Sequence, residues 1–273
     1  MRIVTVINAK GGCGKSTIAM NLAAALAMDG RRTLLLDLDP QAQLTEWLNL
    51  GDGMSASGTI VMALSKRQPI SDLIQGTRIP NLHFVSSAQP LEDLGRQITE
   101  EEGYELRLIE VLGEIADRFE FCVIDSPNQI SPVMENAIFP ADLFIVPFES
   151  TKAVKSYANV YALVQRVRGE APQTLHVLSN LSRLKGQRRR VVALMAQEGI
   201  ERARSEIRSC GWLAQVDEHG GSIFHYRPHA NGAKDMKALK EEVLAAIGMR
   251  TRTSGFRALE TMRPSVTGTA LPL

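Results

Sequence analysis

Short runs of apolar, often β-branched residues alternate along this chain with longer stretches whose apolar positions recur every three or four residues. Ile3–Ile7 (IVTVI), Thr33–Leu38 (TLLLDL), Leu82–Val85 (LHFV), Phe121–Ile124 (FCVI), Leu143–Val146 (LFIV) and Leu175–Leu178 (LHVL) read as strands buried on both faces. Ile18–Met28, Leu106–Arg118, Val154–Arg168, Val191–Gln197 and Lys234–Ile247 read as helices, the last with Met236, Leu239, Val243 and Ile247 toward the core. Strands alternating with helices predict an α/β fold: a mostly parallel twisted sheet, right-handed crossovers and helices on both faces. One domain over residues 1–249 accounts for the pattern. Residues 250–273 lose periodicity and gain Ser, Thr, Gly and Pro, so a flexible C-terminal tail is expected there.

Composition narrows the class. With 273 residues, 44% apolar and 22% charged, the chain can build a sizeable core. Its longest apolar runs are a few residues, far short of the roughly 20 that span a bilayer. The opening MRIVTVINAKGG lacks the layout of a secretory signal. Cys13, Cys122 and Cys210 are too few and too scattered for a disulfide framework or a zinc site, and they fit a reducing, cytoplasmic setting.

One segment carries chemistry on its face. Lys10-Gly11-Gly12-Cys13-Gly14-Lys15-Ser16-Thr17 falls between the first strand and the first helix. Glycines there let backbone N–H groups converge on phosphate oxygens, and the helix turns its positive end to the same anion. Lys15 can reach the outer phosphates, and the Ser16 hydroxyl can ligate Mg²⁺. The common pattern G-x-x-x-x-G-K-S/T would place glycine at position 9; this chain has Ala9, and an extra lysine, Lys10. The plain alternative, a turn that merely joins strand to helix, does not account for G-K-S-T in this context. Cys13 fills the free position of the loop as a small residue. A redox role is the alternative, since a helix N-terminus lowers a thiol pKa.

The loop resembles the deviant Walker A motif, K-G-G-x-G-K-S/T, of the ParA/MinD family of P-loop ATPases. Asp37-Leu38-Asp39-Pro40-Gln41 resembles that family's D-x-D-P-Q segment, and Ile124-Asp125-Ser126-Pro127 its Walker B strand. Asn128 departs from the pattern, which has a second proline there. Val146-Pro147-Phe148-Glu149 and Lys237–Val243 resemble later segments, so the likeness runs over roughly residues 1–248. It implies a P-loop NTPase fold, with ATP and Mg²⁺ as cofactors. It also implies a homodimer that sandwiches two ATP molecules, and slow hydrolysis stimulated by a ParB-like or other cargo-bound partner. Lys10 would reach across to the partner's nucleotide, where a second cation offsets charge developing at the γ-phosphate. Asp39 would orient the attacking water. Asp125 would stand on the magnesium side, and Asp37 would hold the loop or cap the next turn, a common task for a strand-end Asp.

Net charge is +1, which conceals an asymmetry. Residues 1–150 hold 11 Lys and Arg against 20 Asp and Glu; residues 151–273 hold 20 against 10. Arg183, Lys185, Arg188, Arg189 and Arg190 fall within eight positions, and Lys234, Lys237 and Lys240 recur at every third residue. A solvated charged face is the ordinary meaning of one such run. Two runs in a basic half point to an anion-binding face, and the family resemblance implies that its partner is DNA, held by phosphate contacts that are non-specific and salt-sensitive. The resemblance then implies a nucleoid-associated ATPase that positions a plasmid, a chromosome region or a protein assembly. A MinD-like membrane ATPase would need an amphipathic helix near Phe256, Leu259 and Met262, which Gly255 and Pro264 confine to about two turns. A metabolic P-loop ligase would need neither Lys10 nor D-x-D-P-Q.

Overall fold

A computed structural model describes residues 1–52, 58–181 and 185–249. The strands are β1 (Arg2–Val6), β2 (Thr33–Asp37), β3 (Gln75–Gly76), β4 (Leu82–Val85), β5 (Phe121–Asp125), β6 (Leu143–Phe148), β7 (Gln173–Leu181) and β8 (Arg202–Arg208). The helices are α1 (Lys15–Met28), α2 (Gln43–Asp52), α3 (Ile60–Leu64), α4 (Pro90–Ile98), α5 (Arg107–Gly113) and α6 (Pro132–Ile138). They continue with α7 (Thr151–Arg168), α8 (Lys185–Gln197), α9 (Gly211–Ala214), α10 (Val216–His219), α11 (Ile223–Tyr226) and α12 (Asn231–Ala246). Arg183 and the expected tail over 250–273 lie outside the described residues.

The eight strands form one sheet in the order β3-β4-β2-β5-β1-β6-β7-β8. Every pairing is parallel except the short β3–β4 pair at one edge. β1 lies between β5 and β6, so Val6 stands beside Asp125, the last residue of β5, on one side and beside Ile145 of β6 on the other. Alternate residues of each central strand face opposite sides. Val4, Val6, Leu35 and Val123 join a core under α1, α2 and α12. Ile3, Leu34, Leu36 and Ile124 join a second core under α3 and α5, and Phe144 and Val146 a third under α7 and α8. Helices therefore cover both faces, and the central strands are buried over nearly their whole length.

α1 is buried along nearly its whole length because α2, α11 and α12 pack around it against the sheet. That is why its sequence, IAMNLAAALAM, shows no polar face. Its end is tied to α12 by a fully buried ion pair, Lys240 Nζ to Asp29 Oδ2 at 2.7 Å. This corrects the assignment of Lys240 to a DNA-facing stripe. A rotation of 100° per residue carries a three-residue repeat off a helix face. Lys234 is exposed, Lys237 lies half-buried over the Phe224 ring, and Lys240 is inside the protein.

β8 closes the other edge of the sheet, and its pattern differs from the rest. Ala203, Ser205 and Ile207 face inward while Arg202, Arg204 and Arg208 face out. No further strand covers this edge among the described residues. Instead α12 supplies carboxylates: Glu242 accepts from the N–H groups of Arg204 (2.8 Å) and Ser205 (2.7 Å), and Asp235 from that of Arg208 (3.0 Å). Edge N–H groups that would invite another strand are thereby satisfied.

Candidate functional site

The site is built where the central strands end. β1 runs into the loop 7–14, and Gly12 (φ +75°) and Gly14 (φ +93°) take left-handed conformations that side-chain-bearing residues avoid. Gly14 is the N-cap of α1 and offers no capping side chain, and no acidic residue follows in the first turn. The first N–H groups of α1 therefore keep their capacity for an anion, with the helix dipole behind them. Three side chains fix the loop from below, Asn8 and Ser179 buried and Ser156 half-buried. Asn8 donates to the carbonyls of Pro147 (3.0 Å) and Ala153 (3.3 Å), Ser156 to that of Ala9 (2.8 Å), and Ser179 to that of Cys13 (2.9 Å).

Around this loop lies a cleft lined by Gly11, Gly12, Gly14, Lys15, Ser16 and Thr17, with Asp39 and Asn128 on one side. Lys15 is buried, and its Nζ donates to the Lys10 carbonyl at 3.4 Å. Lys10 does not line the cleft: its Nζ pairs with Glu149 Oε1 at 2.6 Å and donates to the Gly11 carbonyl at 3.0 Å. Cys13 is fully buried, its Sγ donating to the Lys10 carbonyl at 3.1 Å. Burial pushes its thiol pKa up against the pull of Lys15 and Lys10, so the protonated form is favoured. That environment argues for the small-residue role of Cys13 over the redox one.

The three strand-end carboxylates divide their tasks. Asp37 and Asp125 are register partners on β2 and β5. Asp37 Oδ1 accepts from the Asp39 N–H at 3.0 Å, and Oδ2 from the Thr45 N–H (3.0 Å) and hydroxyl (2.7 Å). It thus pins the loop to the first turn of α2, the structural role expected of it. Asp39 turns its Oδ1 to the Gln41 N–H at 3.0 Å and lines the cleft. Asp125 is fully buried, and neither carboxylate oxygen has a hydrogen-bond partner. Burial raises its pKa well above the ordinary carboxylate range, the neighbouring Asp37 adds to this, and Lys15 opposes it.

A buried carboxylate without partners is costly, and a cation with its bound waters supplies what is missing. Asp125 and Ser16 therefore have the chemistry of a magnesium site. No group of three or more His, Cys, Asp or Glu side chains that could hold a metal occurs among the described residues. One carboxylate and one hydroxyl beside a phosphate cradle is the arrangement Mg²⁺ accepts, since it takes its other ligands from water and phosphate.

The sequence pattern missed the far wall of the cleft. Gln43 and Trp47 of α2, Ser179 of β7, Ile207 and Arg208 of β8, and Leu213 and Val216 beyond it continue the cleft away from the phosphate loop. The apolar members make that end suitable for a flat, uncharged group. The available signal was the alternation in Arg202–Arg208, which a search for continuous apolar runs passes over.

The basic residues occupy the sheet edge. Arg188, Arg189 and Arg190 are exposed on α8. Arg188 makes three hydrogen bonds to Glu206, including Nη2 to Oε2 at 2.8 Å, and Arg202 approaches the same carboxylate at 4.0 Å. Lys185 opens α8, and Gln187 ties this helix to the end of β6 by donating to the Glu149 carbonyl at 3.0 Å. Arg202 and Arg204 of β8, absent from the sequence expectation, extend the exposed basic surface.

Comparisons with known proteins give a family from the sequence and a fold from the solved structures. The family model described as an AAA domain, AAA_31, matches residues 1–177. The chromosome-partitioning ATPase Soj of Treponema pallidum is 26% identical over 259 residues, covering 91% of this chain and 99% of that protein. Among solved structures, a McdA–ATP complex from Cyanothece superposes with a TM-score of 0.78 at 21% identity, over 92% of this chain and 97% of that one. The cell-division ATPase MinD of Pyrococcus furiosus gives 0.74 at 22%, over 89% and 98%.

Proposed function

The chain belongs to the ParA/MinD family of P-loop ATPases, and from that premise we propose that it is a DNA-associated positioning ATPase whose ATP-bound form is a homodimer. Mg·ATP would lie with its phosphates on residues 11–17 and its base toward Trp47, Ile207, Leu213 and Val216. Ser16 and Asp125 would hold the magnesium side. When bound, the ion supplies charge neutralisation at the outer phosphates. Lys15 contributes its ammonium from inside the cleft, and Asp39 orients the attacking water.

The observation that carries the reading is the division of labour between two lysines on one loop. Lys15 is held within the cleft while Lys10 is outside it, turned toward Glu149. A lysine so placed is available to a second molecule's triphosphate, which makes assembly depend on ATP. Arg188, Arg189 and Arg190, with Lys234 and the added Arg202 and Arg204, form the surface proposed to meet DNA phosphates. Hydrolysis, stimulated by a cargo-bound partner, would release the dimer and so position the cargo. No helix among the described residues is long and apolar enough to cross a membrane. Sedimentation of the Asp39→Ala chain with DNA in ATP and in ADP tests the proposal; an ATP-specific, two-chain, DNA-bound species is the expected result.

A further inference from the structure

Beside the phosphate cleft lies a second one, lined by Pro40 and Gln41, by Gly95 and Arg96 of α4, and by residues 127–133. Asp39 and Asn128 are the two residues that both clefts share. Asn128 also abuts the phosphate loop: a Cβ added to Gly11 would sit 3.7 Å from its Nδ2. Its amide is half-exposed to the clefts, and no hydrogen bond from the described residues engages it. A carboxylate and an unspent amide thus line the cleft that also holds Lys15 and Ser16, with the amide against Gly11 at the start of the phosphate loop.

We propose that Asn128 is a catalytic residue for ATP hydrolysis, an amide that recognises the γ-phosphoryl group and orients the attacking water. The proposal rests on the reading of this cleft as an ATP site. An amide carries both functions needed: Nδ2–H donates to a phosphoryl oxygen, and Oδ1 accepts from water. Amides serve P-loop NTPases in this way elsewhere. Proline, which the family resemblance puts at this position, offers neither side-chain group. In the step, the water oxygen bonds to Pγ while the bond from Pγ to the β,γ-bridging oxygen breaks. The bridging oxygen leaves on ADP with the electron pair. One water proton passes by way of the Asp39 carboxylate to solvent, giving ADP, phosphate and a proton. Contact with the γ-phosphoryl group and with neither of the inner phosphates would let Asn128 distinguish triphosphate from diphosphate.

The test compares native chain, Asn128→Ala and Asn128→Asp by single-turnover hydrolysis of ATP with Mg²⁺, and by titration with ADP and a slowly hydrolysed ATP analogue. Asn128→Ala should lower the hydrolysis rate about ten- to hundred-fold, in the range of one lost transition-state donor. The preference for the triphosphate analogue over ADP should fall about five-fold or more, with ADP affinity held within about two-fold. Asn128→Asp keeps the shape, removes the donor and adds a negative charge, so it should fall at least as far. A rate and a preference both within about two-fold of native in Asn128→Ala would overturn the proposal. So would equal losses of ATP-analogue and ADP affinity, the mark of a merely structural role. A native chain that neither binds nor hydrolyses ATP would overturn the underlying reading as well; native turnover with an indifferent Asn128→Ala would overturn this inference alone.

Discussion

Lys10 and Glu149 form an ion pair within one chain, Nζ to Oε1 at 2.6 Å, with side chains 28% and 14% exposed. The same oxygen accepts from the Ser150 hydroxyl at 2.8 Å, and the backbone carbonyl of Glu149 holds Gln187 of the basic helix α8. If Lys10 serves a partner's triphosphate, it must leave this pair, and the pair opposes assembly. Glu149→Gln should then tighten ATP-dependent dimerisation about twenty-five-fold, the equivalent of two partly exposed ion pairs, one per chain, each worth about 1 kcal/mol. Lys10→Ala should abolish dimerisation while ATP affinity stays within about three-fold of native. Dimerisation measured by sedimentation across protein concentrations checks both, and Glu149→Gln must have no effect in a Lys10→Ala background.

Lys240 and Asp29 make a different kind of pair, with side chains 2% and 0% exposed. Removing one partner leaves a buried charge, so Lys240→Ala should cost about 3–5 kcal/mol in urea unfolding. DNA affinity, measured where the variant is folded, should stay within about two-fold. A loss below about 1 kcal/mol, or a selective loss of DNA binding, would return Lys240 to the surface role that its spacing suggested.

Arg189 and Arg190 are exposed on α8, whereas Arg188 is already committed to Glu206. Arg189→Ala and Arg190→Ala should each weaken DNA binding uniformly across sequences and lower the slope of log affinity against log salt by about 0.9. Arg188→Ala should have the smaller effect, because Glu206 competes with phosphate for its guanidinium. Anisotropy titrations at several salt concentrations measure these slopes, and three unchanged slopes would reduce the run to a solvated face.

Glu242 holds the β8 edge through the N–H groups of Arg204 and Ser205. Burial pushes its carboxyl pKa up, but hydrogen bonds from Ser205 and Arg204 and the Arg204 charge outweigh this and hold it below 4.5. A carboxyl depressed in the folded state lends stability above its unfolded value, and loses it as pH falls through the folded one. Glu242→Ala should therefore cost about 3 kcal/mol at neutral pH, and the gap from native should narrow below pH 4.5. A gap that stays constant with pH would show that packing, not the carboxylate, is what the substitution removes.

The central strands and the phosphate loop were legible because each is specified locally. A strand buried on both faces needs continuous apolar residues, and a phosphate cradle needs glycine where φ is positive. What escaped was specified by partners far away in sequence. β8 reads as RARSEIR because α12 covers its edge, and its inward side needs only Ala203, Ser205 and Ile207. Lys240 reads as a surface lysine until Asp29, 211 positions away, is brought against it. α6 was legible but unread: Ser131 caps it by accepting from the Met134 N–H at 3.3 Å, with Pro132 in its first turn. The shared position of Asp39 and Asn128 between two clefts could not be had from the chain alone, because it depends on how the loops after β2 and β5 meet.

In the proposed cycle ATP joins two chains into a form that binds DNA, and Asp39 is needed to end that state. Sedimentation of the Asp39→Ala chain with Mg·ATP and a DNA fragment, beside the same mixture in ADP, tests it most directly. A two-chain species that persists on DNA in ATP and a single unbound chain in ADP are the expected result. A single chain in ATP, or DNA binding equal in the two nucleotides, would contradict it.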